Sequence, residues 1–287
     1  MNVVCTGSKN KPKISFVIES LKNLFDSSEH NLFLDEKLNG ISNSNTFKYT
    51  SLYNPDVRID IVISIGGDGS ILSAVRRMHN NQIPIIGIHI GNLGFLNKLN
   101  MDDYISIVKK ILLIKSINFD KKTLLKATFI NVDNDSQDSI FALNEIFINQ
   151  GEISRLLTLN VEINNKYLNS YRCDGLIIST PLGSTAYSLS AGGPIVSYDV
   201  DCNIITPVSP HTLSSRPIII SSNDIISIKC PDILTNYMIC SDGQDSRIIK
   251  NDSKVIIKKS NISAKFLRFE HEQSYFDKLR SNLGWHN

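Results

Sequence analysis

The chain has 287 residues, 41% of them apolar, enough to bury a sizeable core as one large domain or two of ordinary size. Its formal net charge of +2 comes from Lys and Arg scattered among acids with no polybasic block, so neither nucleic acid nor an anionic membrane surface is implied as a partner. Met1 to Cys5 lacks the basic start and apolar core of a signal peptide, no apolar run approaches the ~18 residues of a membrane span, and the five cysteines contain no Cys-x-x-Cys pair, so a cytoplasmic protein with reduced thiols is expected.

Residues 1–118 alternate strand and helix signals. Ile59 to Ile65 is a buried-strand run, Ile71 to Met78 suits a short helix, and Ile83 to Ile88 is the next strand, a β-α-β spacing that predicts a parallel sheet flanked by helices. Between that strand and helix lies Gly66-Gly67-Asp68-Gly69-Ser70. At the carboxyl end of a parallel strand, such a turn aims N–H groups at a crevice and suits phosphate. A carboxylate there repels phosphate, so Asp68 calls for a chemical reason: a Mg²⁺ ligand, or the base that deprotonates a hydroxyl attacking a nucleotide's terminal phosphate. The plain alternative is an Asp that caps the helix. There is no Gly-x-x-x-x-Gly-Lys-Ser/Thr and no complete Gly-x-Gly-x-x-Gly, which excludes a P-loop enzyme and removes the main support for a redox dinucleotide fold.

From residue 119 the pattern becomes β-rich. Asn144-Glu145 interrupts the apolar run from Ile140 to Ile148, placing an ionisable group in the middle of an expected strand, where it wants a hydroxyl, an amide or an Arg as partner. Leu157, Leu159, Val161 and Ile163 alternate with polar residues before an Asn164-Asn165 turn, the signature of a half-buried strand. The segment from Asp174 to Pro194 runs from a strand into a polar Gly183-Ser184-Thr185 turn, with Ser184 or Thr185 placed to cap a short helix and Tyr187 offering a ring for stacking. Strand-like runs follow at Ile218–Ile220, Ile225–Ile228, Tyr237–Ile239 and Val255–Ile257, and the tail from Glu270 to Leu283 is helix-like. The expected division is an α/β domain over 1–118, a mainly β domain over 119–269, and a tail over 270–287 that docks on a domain or a neighbouring subunit.

Taken together, the Gly-Gly-Asp-Gly turn, the Asn-Glu pair, the Asp174-to-Pro194 segment and Asp242-Gly243-Gln244 resemble the NAD kinase family in order and spacing over nearly the whole chain, and Pro210 to Pro217 looks like its bacterial branch. The turn alone is shared with diacylglycerol and sphingosine kinases and looks related to phosphofructokinases. The resemblance implies an α/β domain followed by a β-sandwich-like domain, NAD bound between them, ATP with Mg²⁺ as phosphoryl donor, and a homo-oligomer, a tetramer or dimer. It makes Asp68 the proton acceptor with Gly69 beside the dinucleotide, and Asn144 and Glu145 the diphosphate- and ribose-side contacts. Asp174 would touch the nicotinamide end, Leu182, Thr185, Ala186, Tyr187, Ser188, Leu189 and Ser190 would surround the nucleotide, and Arg155, Arg172 and Gln244 align more loosely. Three positions depart from the family pattern: His89 replaces Asn in the stretch from Gly87 to Leu96, Leu182 stands where Thr or Ser is common, and Ser70 where Thr or Asn is common. The competing readings are a lipid kinase, which needs an apolar or amphipathic docking segment, and a non-catalytic dinucleotide-binding regulator, which needs no Asp68.

Overall fold

The computed structural model describes residues 1–41, 47–91, 94–114, 116–131, 136–151, 156–212, 214–231, 237–249, 253–268 and 274–285. The chain folds into two compact units, Met1–Lys121 with Ala264–Asn287, and Lys122–Ser263.

In the first unit, strands β1 (Asn2–Gly7), β2 (Asn31–Asp35), β3 (Lys48–Thr50), β4 (Ile61–Gly66) and β5 (Ile85–His89) form a parallel sheet in the order β3-β2-β1-β4-β5. Every residue of β4 and β5 is buried, as expected of strands covered on both faces. Helix α1 (Ile14–Asp26) buries Val17, Ile18, Leu21 and Phe25, α2 (Asp68–Met78) buries Ile71, Leu72, Ala74, Val75 and Met78, and α3 (Tyr104–Leu112) buries Tyr104, Val108 and Ile111. Connections run to opposite sides from β1 and β4, so the switch point of this doubly wound sheet lies between those two strands, where open α/β sheets form their ligand crevice. The order 3-2-1-4-5 is that of a doubly wound sheet, yet the glycine-rich turn follows β4 and not β1.

The second unit is built from antiparallel strands. One sheet has the order β13-β12-β11-β8-β15-β16, from β8 (Glu145–Asn149), β11 (Gly175–Ser179), β12 (Cys202–Val208), β13 (Ile218–Ser221), β15 (Tyr237–Ser241) and β16 (Asp245–Ile249). Facing it are β9 (Leu157–Ile163), β10 (Lys166–Cys173), β14 (Ile226–Lys229) and the first part of β17 (Lys254–Leu267), while β6 (Phe119–Asn131) pairs with β7 (Ser136–Ala142). Ile146, Ile148, Leu176, Ile178 and Ile239 of the first sheet pack with Leu157, Leu159, Val161, Ile226 and Ile257 of the second in one core, a sandwich arrangement. Asn164 and Asn165, at φ 51° and 63°, make the left-handed β9–β10 turn that Asn tolerates.

The observed units part from the sequence-based division at the end of β17. Phe266 pairs with Ile85 of β5, and Arg268 donates its N–H to Asn118 and forms an ion pair with Asp120, so residues from Ala264 onward belong with the first unit. Helix α5 (Tyr275–Leu283), with a capping box at Ser274 and Asp277, buries Leu279, and Lys278 donates to the Phe95 carbonyl of the same unit at 3.0 Å. Residues 270–273 of the expected tail lie outside the described residues. Among the described residues no helix is long and apolar enough to cross a membrane, and the cysteines are free.

Candidate active site

Asp68 stands where β4 turns into α2, at the carboxyl edge of the first unit's sheet beside its switch point. It does not cap the helix: the N-cap is Gly67 and no side chain caps that end. Its carboxylate turns instead toward the segment after β5. Oδ2 accepts the Phe95 N–H at 2.7 Å, and Oδ1 accepts the N–H of Leu96 at 3.1 Å, the N–H of Asn97 at 3.3 Å and the Asn97 side-chain amide at 2.8 Å. Backbone approaches this closely because position 94 is glycine; a Cβ there would strike the Asp68 carboxylate. The segment is anchored to β5 by Leu99 N–H to the Gly87 carbonyl and His89 N–H to the Leu99 carbonyl, and Lys98 Nζ reaches the Leu267 carbonyl at 2.6 Å. Gly69 is exposed beside Asp68, and Asn92 and Leu93 lie outside the described residues. His89 is a buried residue opposite Gly66 in register; among the described residues its ring Nδ1 finds no hydrogen-bond partner.

In the second unit the run from Ile140 to Ile148 is not one strand. It breaks at Leu143-Asn144, between β7 and β8, because neighbours take the backbone out of the ladder. The Asp242 carboxylate, in the β15–β16 turn, accepts the N–H groups of Leu143 at 3.1 Å, Asn144 at 2.8 Å and Glu145 at 3.2 Å. From the other side Thr180 donates its N–H to the Asn144 carbonyl and its hydroxyl to the Leu143 carbonyl, and accepts the Gly183 N–H. Gly183 lies so near the Asn144 backbone that any Cβ would collide with it. Glu145 therefore opens β8 and does not occupy its middle. Its side chain is buried and Oε2 has no partner among the described residues. Burial first, and the negative Asp242 second, push its carboxyl up to about 8, against the pull of the Tyr187 N–H.

Residues 182–190 form a 3-10 turn, Leu182–Thr185, followed by the one-turn helix α4, Tyr187–Ser190. Neither Ser184 nor Thr185 caps α4. Ser184 is buried and bridges to the backbone of Val196, while the Thr185 hydroxyl returns to the Leu182 carbonyl. Ser188 is also buried, paired with Thr206 at 2.9 Å, and Leu182 is a core residue, so these two shape the turn from beneath. Thr185, Ala186, Tyr187, Leu189 and Ser190 keep accessible surface, and the Tyr187 ring stands edge-on to Phe147 at 5.1 Å with 42% of its surface open.

Gln244 is exposed two residues after Asp242 in the same turn, its N–H bonded to the Ser241 carbonyl. Asp174, with Arg172 two residues before it, lies away from Glu145. Glu145 pairs with Ser179 at one end of β11, whereas Asp174 precedes Gly175 at the other, roughly 16 Å away at strand spacing. Arg155 lies outside the described residues. Nothing in the sequence marks Asn97 or Thr180, since a lone Asn after Phe95-Leu96 and a Thr at a strand end carry no periodic signal; what marks them is the carboxylate or carbonyl that each meets in the fold.

Two family models match the chain: the ATP-NAD kinase N-terminal domain over residues 19–115 and the ATP-NAD kinase C-terminal domain over residues 143–269. The chain belongs to the ATP-NAD kinase family. The NAD kinase of Flavobacterium psychrophilum is 34% identical over 99% of this chain and 98% of its own, and that of Buchnera aphidicola is 39% identical over 90% and 85%. Among solved structures, yeast NADH kinase complexed with NADH aligns with a TM-score of 0.87 at 25% identity, covering 99% of this chain and 88% of that one. An NAD kinase from Archaeoglobus fulgidus in complex with ATP aligns at 0.75 and 25%, over 98% and 99%. The chain is accordingly a phosphotransferase with an alcohol acceptor, an ATP-dependent kinase of NAD, and the lipid-kinase and regulator readings are not favoured. The α/β unit followed by a mainly β unit is the architecture expected from the sequence.

Proposed function

We propose that Asp68 is the proton acceptor when the ribose 2′-hydroxyl of NAD attacks the γ-phosphorus of ATP, and that Asn144, Glu145 and residues 185–190, with Gln244, hold the dinucleotide. The observation that carries the first part is the Asp68 carboxylate itself: it sits in the glycine-rich turn at the sheet's switch point, spared from helix capping and fixed by four N–H donors. A base must be held at one orientation to meet its proton, and this one is. The helix N-terminus beside it, with Gly67 as N-cap, offers N–H groups to phosphate oxygens.

The second unit supplies the dinucleotide contacts. Glu145, holding its proton near neutral pH, presents an unpaired buried oxygen that suits a ribose hydroxyl, and Tyr187 presents an open ring to a base. The yeast neighbour was crystallised with NADH, so NADH is assayed beside NAD.

Mg²⁺ fits this site as a passenger of ATP. Oδ1 of Asp68 is committed to three donors, which suits a metal held mainly by substrate phosphates. When bound it neutralises phosphate charge. A cytoplasmic homo-oligomer, dimer or tetramer, completes the proposal; light scattering of the purified chain tests the subunit number. The deciding experiment is NADP formation from NAD and ATP with Mg²⁺, beside Asp68→Asn and an NAD binding titration. Loss of turnover with retained NAD binding is expected, and an Asp68→Asn protein with more than about half of normal kcat removes Asp68 from the base role.

A further inference from the structure

Asn97 gives the Asp68 carboxylate two of its four hydrogen bonds, one from the backbone and one from the side-chain amide. Both end on Oδ1, as does the N–H of Leu96, whereas among the described residues Oδ2 receives one, the N–H of Phe95 at 2.7 Å. A carboxylate oxygen offers about two lone pairs, so Oδ1 is saturated and Oδ2 keeps acceptor capacity. Asn97 is 3% exposed, and its side-chain Oδ1 has no hydrogen-bond partner among the described residues. Leaving a buried amide oxygen unpaired costs free energy, and turning the amide over would replace its donor with an oxygen facing the carboxylate. The bond to Asp68 therefore fixes the amide. Space for it comes from position 87, where a Cβ would collide with Asn97 Oδ1.

We infer that Asn97 is a positioning residue of the phosphoryl transfer, occupying Oδ1 of Asp68 and leaving Oδ2 as the oxygen that takes the ribose hydroxyl proton. This rests on the reading of Asp68 as the base. In the step, the ribose 2′-oxygen bonds to Pγ and the bond from Pγ to the β–γ bridging oxygen breaks. That bond's electron pair leaves with ADP, and the hydroxyl proton passes to Oδ2. Asn97 touches neither substrate. It acts only through the carboxylate, by holding the plane in which Oδ2 faces the hydroxyl.

The test uses the full chain, with NADP formation from NAD and MgATP, for Asn97→Ala, Asn97→Ser, Asp68→Asn and the double variants. Asn97→Ala is expected to lower kcat about 10- to 100-fold, the worth of one hydrogen bond to a charged group, with KM for NAD changed by less than about twofold. Asn97→Ser, whose hydroxyl can still donate, recovers part of the loss. In the Asp68→Asn background Asn97→Ala costs nothing further, because the group through which it acts is gone. A kcat within about twofold of normal in Asn97→Ala, a loss expressed in KM for NAD, or full additivity in the double variant each overturns the inference. Should Asn97→Ala lose cooperative unfolding, Asn97→Ser and its Asp68→Asn double answer by the same criteria. A normal kcat in Asp68→Asn alone overturns the base reading and this inference with it, whereas a defective Asp68→Asn beside a normal Asn97→Ala overturns only this one.

Discussion

Asp68 lies within one unit's glycine-rich turn facing four N–H donors, while Glu145 begins a strand of the other unit, buried beside a second carboxylate. The functional group is the same and the surroundings are opposite. Donors directed at a carboxylate fix its orientation, whereas burial, with Asp242 beside it, pushes the Glu145 carboxyl up to about 8. The three N–H groups of the 143–145 turn go to Asp242. On the proposed reading one unit presents the proton acceptor and the other a hydrogen-bonding acid, and the contrast can be broken residue by residue.

The largest effect is expected at Asp68. Asp68→Asn keeps the shape and removes the base, so kcat should fall by about 10²–10⁴ with a smaller change in NAD affinity, measured by steady-state kinetics beside a binding titration. Asp242→Ala should come next, leaving three N–H groups of the 143–145 turn without their acceptor. At ~1–3 kcal/mol for each buried group left unpaired, a denaturation midpoint well below that of the parent is expected, with a raised KM for NAD. An unchanged midpoint would show that water or Thr180 suffices for the turn.

Glu145 sharpens the comparison through pH. Its folded value of about 8 lies above the ordinary 4.5, so between those limits the folded protein holds a proton that the unfolded chain has lost. Stability from this group is therefore full below about pH 4.5 and declines as pH rises toward 8, by a few kcal/mol in all. Glu145→Gln removes that slope; denaturant titrations across pH 5 to 8 on both proteins, with parallel curves, would contradict the neutral-acid assignment. Because Gln is neutral like the protonated acid, Glu145→Gln should also bind NAD more nearly normally at pH 7 than Glu145→Ala, which should raise KM through ~1–3 kcal/mol of lost hydrogen bonding.

The smallest effect is expected at Lys278, which reaches Phe95 from behind the segment that holds Asp68. Lys278→Met should lower kcat less than about tenfold and leave KM for NAD alone, since it loosens a support and removes no group that meets substrate. A change confined to KM would place the C-terminal helix in binding and not in holding the base.

Local sequence by itself determined the alternation of strand and helix over the first stretch, the sandwich strands with their Asn164-Asn165 turn, and the turn that carries Asp68, because side-chain period and glycine placement act within a few residues. It also marked Glu145 as an acid out of place among apolar neighbours. Only the tertiary structure decided what each acid faces. The donors to Asp68 come from 27 to 29 residues away, and Asp242 meets its three N–H groups across 97 to 99 residues. It likewise decided that the apolar run breaks before Glu145, that Ser184 and Ser188 turn inward, and that the end of β17 rejoins the first unit. A backbone N–H has no identity in the sequence, so a carboxylate whose partners are main-chain groups on a distant turn cannot be read from residue types. The fold must bring them together first.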